Sequence, residues 1–216
     1  RNSFQFMKMQ LADADVETLN SSCAETLLPT DQRIITRLTE TIQTMTTYLD
    51  KYEYWLAKIH FEDFFWKDFC DNYLEMVKVR LYKPELFKDW ESKKKAAQWT
   101  LFQVYNNIVK LIAPYLPHIT EEIYQDYFHS FNSEKSIHNC RYPQVSEFSA
   151  ISISEPEKLK SDFEKFLMVV ENVRKYKSEK QISMWAEITL LTIKTSQTDI
   201  ESIQKYMDDL IWVTKV

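Results

Sequence analysis

Residues 61–82 read FEDFFWKDFCDNYLEMVKVRLY, where aromatic rings, carboxylates and one cysteine crowd together. The stretch allows three readings: a metal or catalytic constellation, a platform for nucleic acid, or the buried seam of a long helix. Spacing separates them. Phe65, Phe69, Tyr73, Met76 and Arg80 follow one another at steps of three and four and share one face, with Ile59 ahead of them on the same helix. Rings at that period bury large apolar areas, so the stripe is a core seam with Cys70 as a small hydrophobe beside it. The metal reading fails because Asp68, Cys70 and Asp71 point to different sides of a helix and no histidine follows at four. Glu62, Asp63, Asp68 and Glu75 supply carboxylate pairs, but acids on an amphipathic helix are more often a solvated face. The helix should run from about Tyr54 to Leu81, with Pro84 ending it.

Working outward, LLPTDQRIITRLTETIQTMTTYLDKY (27–52) is a helix with Thr30 as its expected cap and Asp31 at the positive end of the dipole. Ile34, Leu38, Ile42, Met45 and Leu49 form its apolar face. KKKAAQWTLFQVYNNIVKLIA (93–113) is a third long helix, stopped by Pro114 and Pro117. HITEEIYQDYFHSF (118–131) restarts with Thr120 as cap. Four such helices with short joints describe an antiparallel bundle. From 132 to 156 the periodicity fades into a connector, and Ser154 with Glu157 is a capping-box signature for a helix through Tyr176. AEITLLTIKT (186–195) is rich in β-branched residues and reads as a strand, residues 197–210 as a helix, and IWVTKV (211–216) as a possible second strand. The expected fold is mainly α: an antiparallel bundle with connector over 1–150, then a C-terminal helix and a small mixed α/β tail over 151–216.

The 216 residues contain no glycine, where average usage of about 7% would supply roughly fifteen. A Gly-rich phosphate loop, a dinucleotide fingerprint and a standard nucleophile elbow are therefore excluded. Net charge is −5, so RNA binding would need a local basic cluster rather than a global field. Cys23, Cys70 and Cys140 lack metal-ligand spacing and suit a reducing, cytoplasmic setting. No apolar run is long enough for a membrane span. Arg1 in place of methionine implies a piece of a longer chain.

Among polar residues, Arg33 and Arg37 stand four apart on one ridge, where two guanidiniums can clamp phosphate or bond a splayed base. The plainer reading is two surface arginines paired with Glu40 and Asp31. The lysine run 93–95 opens a helix, against its dipole, and suits either a solvated face or a phosphate contact. His60, His118, His129 and His138 are scattered and assemble no triad.

Phe64, Phe65, Trp66, Asp68, Phe69, Cys70, Asp71, Tyr73, Leu74, Glu75 and Lys78 together resemble the anticodon-binding domain of the valyl-tRNA synthetase family. Asp31, Ile34, Arg37 and Leu38 are similar to its Asp-x-x-Ile-Leu-x-Arg-Leu helix. LIAPYLPHITEEIY resembles its Pro-Phe-x-Pro-Phe-x-Thr-Glu-Glu-Ile-Trp segment. RNSFQF is similar to a stretch reading Trp-Asn-Ala-x-Arg-Phe, sharing Asn2 and Phe6, and VVENVRKYKSEKQI is like the helix after the bundle, with Arg174 and Lys177 as its basic residues. The resemblance implies a domain that binds the anticodon end of tRNA-Val, with Arg33, Arg37, Phe6, Arg174 and Lys177 as contacts. It also implies catalytic and editing domains elsewhere in the parent chain, using ATP with magnesium and valine. The His-Ile-Gly-His and Lys-Met-Ser-Lys-Ser signatures of that chemistry are absent, so no catalytic residue and no cofactor is expected here. The alternatives are the equivalent isoleucyl domain and a helical protein-interaction module.

Overall fold

The computed structural model describes residues 1–16, 19, 26–151, 153 and 155–216. Cys23 and the expected cap Ser154 lie outside the described residues. The seam stretch is the middle of one continuous helical rod: α3 (Tyr54–Asp63), a π-helical segment (Phe64–Tyr73) and α4 (Leu74–Tyr82). The π register, with its i→i+5 bonding, was not legible in a stripe spaced by three and four. It appears in the burial, because Phe64 and Phe69, five apart, are both fully buried. Phe61, Phe65, Phe69 and Tyr73 also stack in sequence, with successive centroids 5.8, 6.1 and 6.2 Å apart. Phe65 is only half-buried and Ile59 is exposed, so the outer residues of the expected seam lie at its margin.

The other bundle elements are α1 (Asn2–Gln10), α2 (Pro29–Asp50), α5 (Trp90–Ile112) and α6 (Pro117–Asp126). Helix α2 packs on the rod, α5 on both, and α1 and α6 on α5. A continuous core results, and the connector seals it with Ile137 and Phe148. Helices α7 (Pro156–Glu179), α8 (Gln197–Gln204) and α9 (Met207–Thr214) build a second core from Phe163, Phe166, Val170, Ile203, Tyr206 and Leu210, onto which the rod contributes Met76.

Several helix ends differ from expectation. Thr30 and Thr120 do not cap: α2 and α6 begin at Pro29 and Pro117, because proline preorganises the first helical residue and needs no donor there. The Thr120 hydroxyl instead donates to the Leu116 carbonyl at 2.8 Å. At the other ends, a chain without glycine places Tyr52 (φ 61°) and Gln181 (φ 54°) in the left-handed region after α2 and α7. There Glu53 N–H reaches Tyr48 O at 2.9 Å and Ile182 N–H reaches Lys177 O at 2.8 Å, closing each helix.

The expected α/β tail is not formed, and no strand occurs among the described residues. Segment 186–195 is irregular, tied to the chain end by Ile188 N–H to Lys215 O at 2.6 Å. A ladder needs a second strand. The candidate, IWVTKV, is instead drawn into α9, which buries Leu210 and Thr214.

Candidate nucleic-acid interface

The two arginines of the α2 ridge receive different surroundings. Arg33 is buried at 7% exposure, its guanidinium 6.0 Å from the Phe163 ring and its Nε without a hydrogen-bond partner; Glu40 approaches only to 3.9 Å. Burial lowers its pKa. Arg37 is partly exposed and held between Asp68, at 2.9 Å, and Glu40, at 2.5 Å. Burial alone would lower its pKa, but these carboxylates, Asp68 foremost, outweigh it and raise it. Asp31 is spoken for elsewhere: its carboxylate accepts from both Nη atoms of the fully buried Arg80, at 2.7 and 2.8 Å, and from Tyr73 OH at 3.0 Å.

Two clefts flank the rod where its π segment meets α4, and they share Cys70 and Glu75. The first, about 520 Å³, brings together Phe6 from α1 with Trp66, Leu74 and Lys78 from the rod. Trp66 is 59% exposed, and the Lys78 ammonium lies 5.9 Å from the Phe6 ring. The second, about 470 Å³, lies between the rod and the tail and is lined by Asp71, Arg174, Trp185, Trp212 and Lys215. Arg174 donates from Nη2 to the Asp71 main-chain oxygen at 3.2 Å, fixing α7 to the rod. Lys177 lines the same cleft but is buried, its ammonium donating to the carbonyls of Met184, Ala186 and Thr214 at 3.0, 2.7 and 3.0 Å. Lys215 stands over Trp212 at 3.4 Å and Trp185 at 4.9 Å. Its pKa is lowered by burial first and then by Lys83 and Lys177, so cations gather here despite the negative total charge. The thiol of Cys70, on the shared wall, is pushed up to about 11 by burial and stays protonated at neutral pH.

Phe6, Arg174 and Lys177 are therefore brought to adjoining clefts, while Arg33 and Arg37 line a separate small recess beneath α7. Sequence reasoning missed Trp185, Trp212, Lys83 and Lys215. The available signal was two tryptophans with flanking lysine in a polar tail, and the strand reading hid it. Among the described residues, no group of three His, Cys, Asp or Glu is placed to hold a metal ion.

Residues 31–192 match the model of the family described as "Anticodon-binding domain of tRNA ligase". The chain belongs to this family. Among curated proteins it is similar to the valine–tRNA ligase of Wolbachia sp. subsp. Brugia malayi, 34% identical over 97% of this chain and 23% of that protein. The valine–tRNA ligase of Thermococcus kodakarensis is 33% identical over 91% of this chain and 21% of its own length. That of Rickettsia akari is 36% identical over 85% of this chain and 21% of itself. The chain thus spans under a quarter of these relatives. The matched region starts at the buried Asp31 and runs through the rod and α7 to the Trp185 loop, so it takes in the rod, α7 and Trp185 sides of the second cleft, while Trp212 and Lys215 lie beyond it. No helix among the described residues is long and apolar enough to cross a membrane.

Proposed function

We propose that this domain holds the anticodon arm of tRNA-Val for a cytoplasmic valine–tRNA ligase. In that scheme, valine activation with ATP and magnesium, transfer and editing are performed by catalytic and editing domains elsewhere in a longer chain. The observation that carries the reading is convergence: rings and cations from α1, the rod, α7 and the tail, with Trp66 and Trp185 exposed and Phe6, Lys78, Arg174, Trp212 and Lys215 partly so, meet along two adjoining clefts. Rings stack unpaired bases and cations meet phosphates, the combination by which single-stranded loops are held. The two separate cores support a division into a bundle over 1–150 and a C-terminal unit over 151–216. Of the residues named from sequence, Phe6, Arg174 and Arg37 face the RNA, with Arg37 exchanging a carboxylate partner for phosphate. Arg33 and Lys177, being buried, shape that surface from behind.

The test is binding of the protein to a tRNA-Val anticodon stem-loop and to the same stem-loop with changed anticodon bases, across a salt series. Affinity should fall as salt rises, since cations displace counterions from the phosphates. Arg174→Ala should weaken both RNAs, and Phe6→Ala should narrow the difference between them. Equal affinity of wild type and Arg174→Ala for every RNA would sink the assignment.

A further inference from the structure

Resting on the RNA-binding reading above, we propose that the cleft between rod and tail is a slot for one unpaired base. Trp185 is its stacking face, and the Asp71 carboxylate reads the base edge. The slot takes a base that presents an amino group and rejects uracil.

Trp185 is 63% exposed, an unusual position for an indole that could be sheltered. It does not wave freely, because the buried Lys177 ammonium grips the carbonyl on either side of it, Met184 O and Ala186 O, and ties both to Thr214 O at the end of α9. Lys177 is thus a positioning residue that presents the ring. Lys215, 4.9 Å from the Trp185 ring, is cushioned between it and Trp212 and supplies positive charge at the slot, as does Arg174 on the opposite element. A volume of about 470 Å³ is ample for one base.

The acids of the cleft give the specificity. Glu75 is neutralised by Lys78 at 2.5 Å. The exposed Asp71 is different: no cation or donor side chain pairs with its carboxylate among the described residues, and Arg174 bonds its main-chain oxygen instead. A free carboxylate repels phosphate, so within a basic cleft it suits a donor on a base. Carboxylates accept from the exocyclic amine of cytosine, and adenine and guanine carry amines as well. Uracil offers two carbonyls around one N–H and meets repulsion there.

The experiment uses single-stranded RNA hexamers of cytidine, adenosine or uridine at fixed low salt, read by competition against a labelled tRNA-Val anticodon stem-loop and by tryptophan quenching. Wild type should bind the cytidine and adenosine hexamers about tenfold tighter than the uridine one, the scale of one good edge contact. Trp185→Ala should lose about tenfold on every hexamer and most of the quenching, and Trp185→Phe should keep most of the affinity. Asp71→Asn should abolish the preference against uridine while leaving the cytidine hexamer bound. Unchanged binding by Trp185→Ala, or a base preference that survives Asp71→Asn, overturns the slot. Stem-loop binding without hexamer binding overturns the slot alone. Failure of wild type to bind the stem-loop overturns the RNA reading and the slot together.

Discussion

Replacing Asp31 by Asn should be among the most damaging single changes in this protein. Arg80 and Asp31 are both fully buried, and their side chains meet through two hydrogen bonds of 2.7 and 2.8 Å. Asp31 accepts two more, from Tyr73 OH at 3.0 Å and from Leu28 N–H at 3.1 Å at the start of α2. For Arg80, burial alone would lower the pKa, yet the charge and hydrogen bonds of Asp31 raise it, so the guanidinium stays ionised inside the bundle. Removing the negative partner leaves that charge uncompensated, which costs about 3–5 kcal/mol. The nearby Asp209 carboxylate, itself buried, recovers only part. For a chain of this size each kcal/mol moves the midpoint by about 2–4 °C, so Asp31→Asn should melt roughly 6–20 °C lower. The double change Asp31→Asn with Arg80→Met removes the orphan and should be more stable than Asp31→Asn alone. Denaturant unfolding of wild type, Asp31→Asn, Arg80→Met and the double variant measures the coupling. A loss below about 1 kcal/mol for Asp31→Asn would show that Arg80 finds water or another acid, and the account of this pair would be wrong.

Phe69→Ala should cost about 3–5 kcal/mol in chemical denaturation, whereas Phe65→Ala, removing a half-buried ring, should cost less; equal losses would contradict the burial. Asp209 is raised from 3.8 to about 6, by burial first and Asp31 next, against the opposing pull of Arg80. A raised carboxyl contributes stability that is complete below its unfolded pKa and is lost as pH climbs through the folded one. The stability of wild type relative to Asp209→Asn should therefore fall by about 2 kcal/mol between pH 4 and 7, at about 1.4 kcal/mol per pKa unit, and a flat difference in urea titrations would refute it. Tyr52, 78% exposed with φ 61°, should be replaceable by Gly with a gain approaching about 1 kcal/mol; a lower melting point would show that its ring does more than cover a turn.

The bundle was legible in the sequence because each helix carries its own evidence. Periodic apolar faces at 34–49 and 99–112, prolines at the joints and the lack of glycine are local properties, and helical bonding is satisfied within each segment. The resemblance carried by residues 64–78 was equally local. Four features depended on partners far along the chain. Arg80 was placed correctly on the buried stripe, but only packing put Asp31, 49 positions away, against it. The tail's β-branched run could become a strand only beside another strand, and the segment expected to serve was taken by α9 to bury Leu210. The ridge of Arg33 and Arg37 looked uniform because helical spacing fixes direction and says nothing of what covers it; Phe163 covers one, and Asp68 holds the other. The clefts are the extreme case, since Phe6, Trp66, Arg174, Trp185 and Lys215 are dispersed along the chain. A sequence determines which stretches form helices and which faces seek burial, because those depend on neighbours three and four residues away. Which polar groups end up facing each other across a groove is set by the docking of whole helices, and only the tertiary structure decides that.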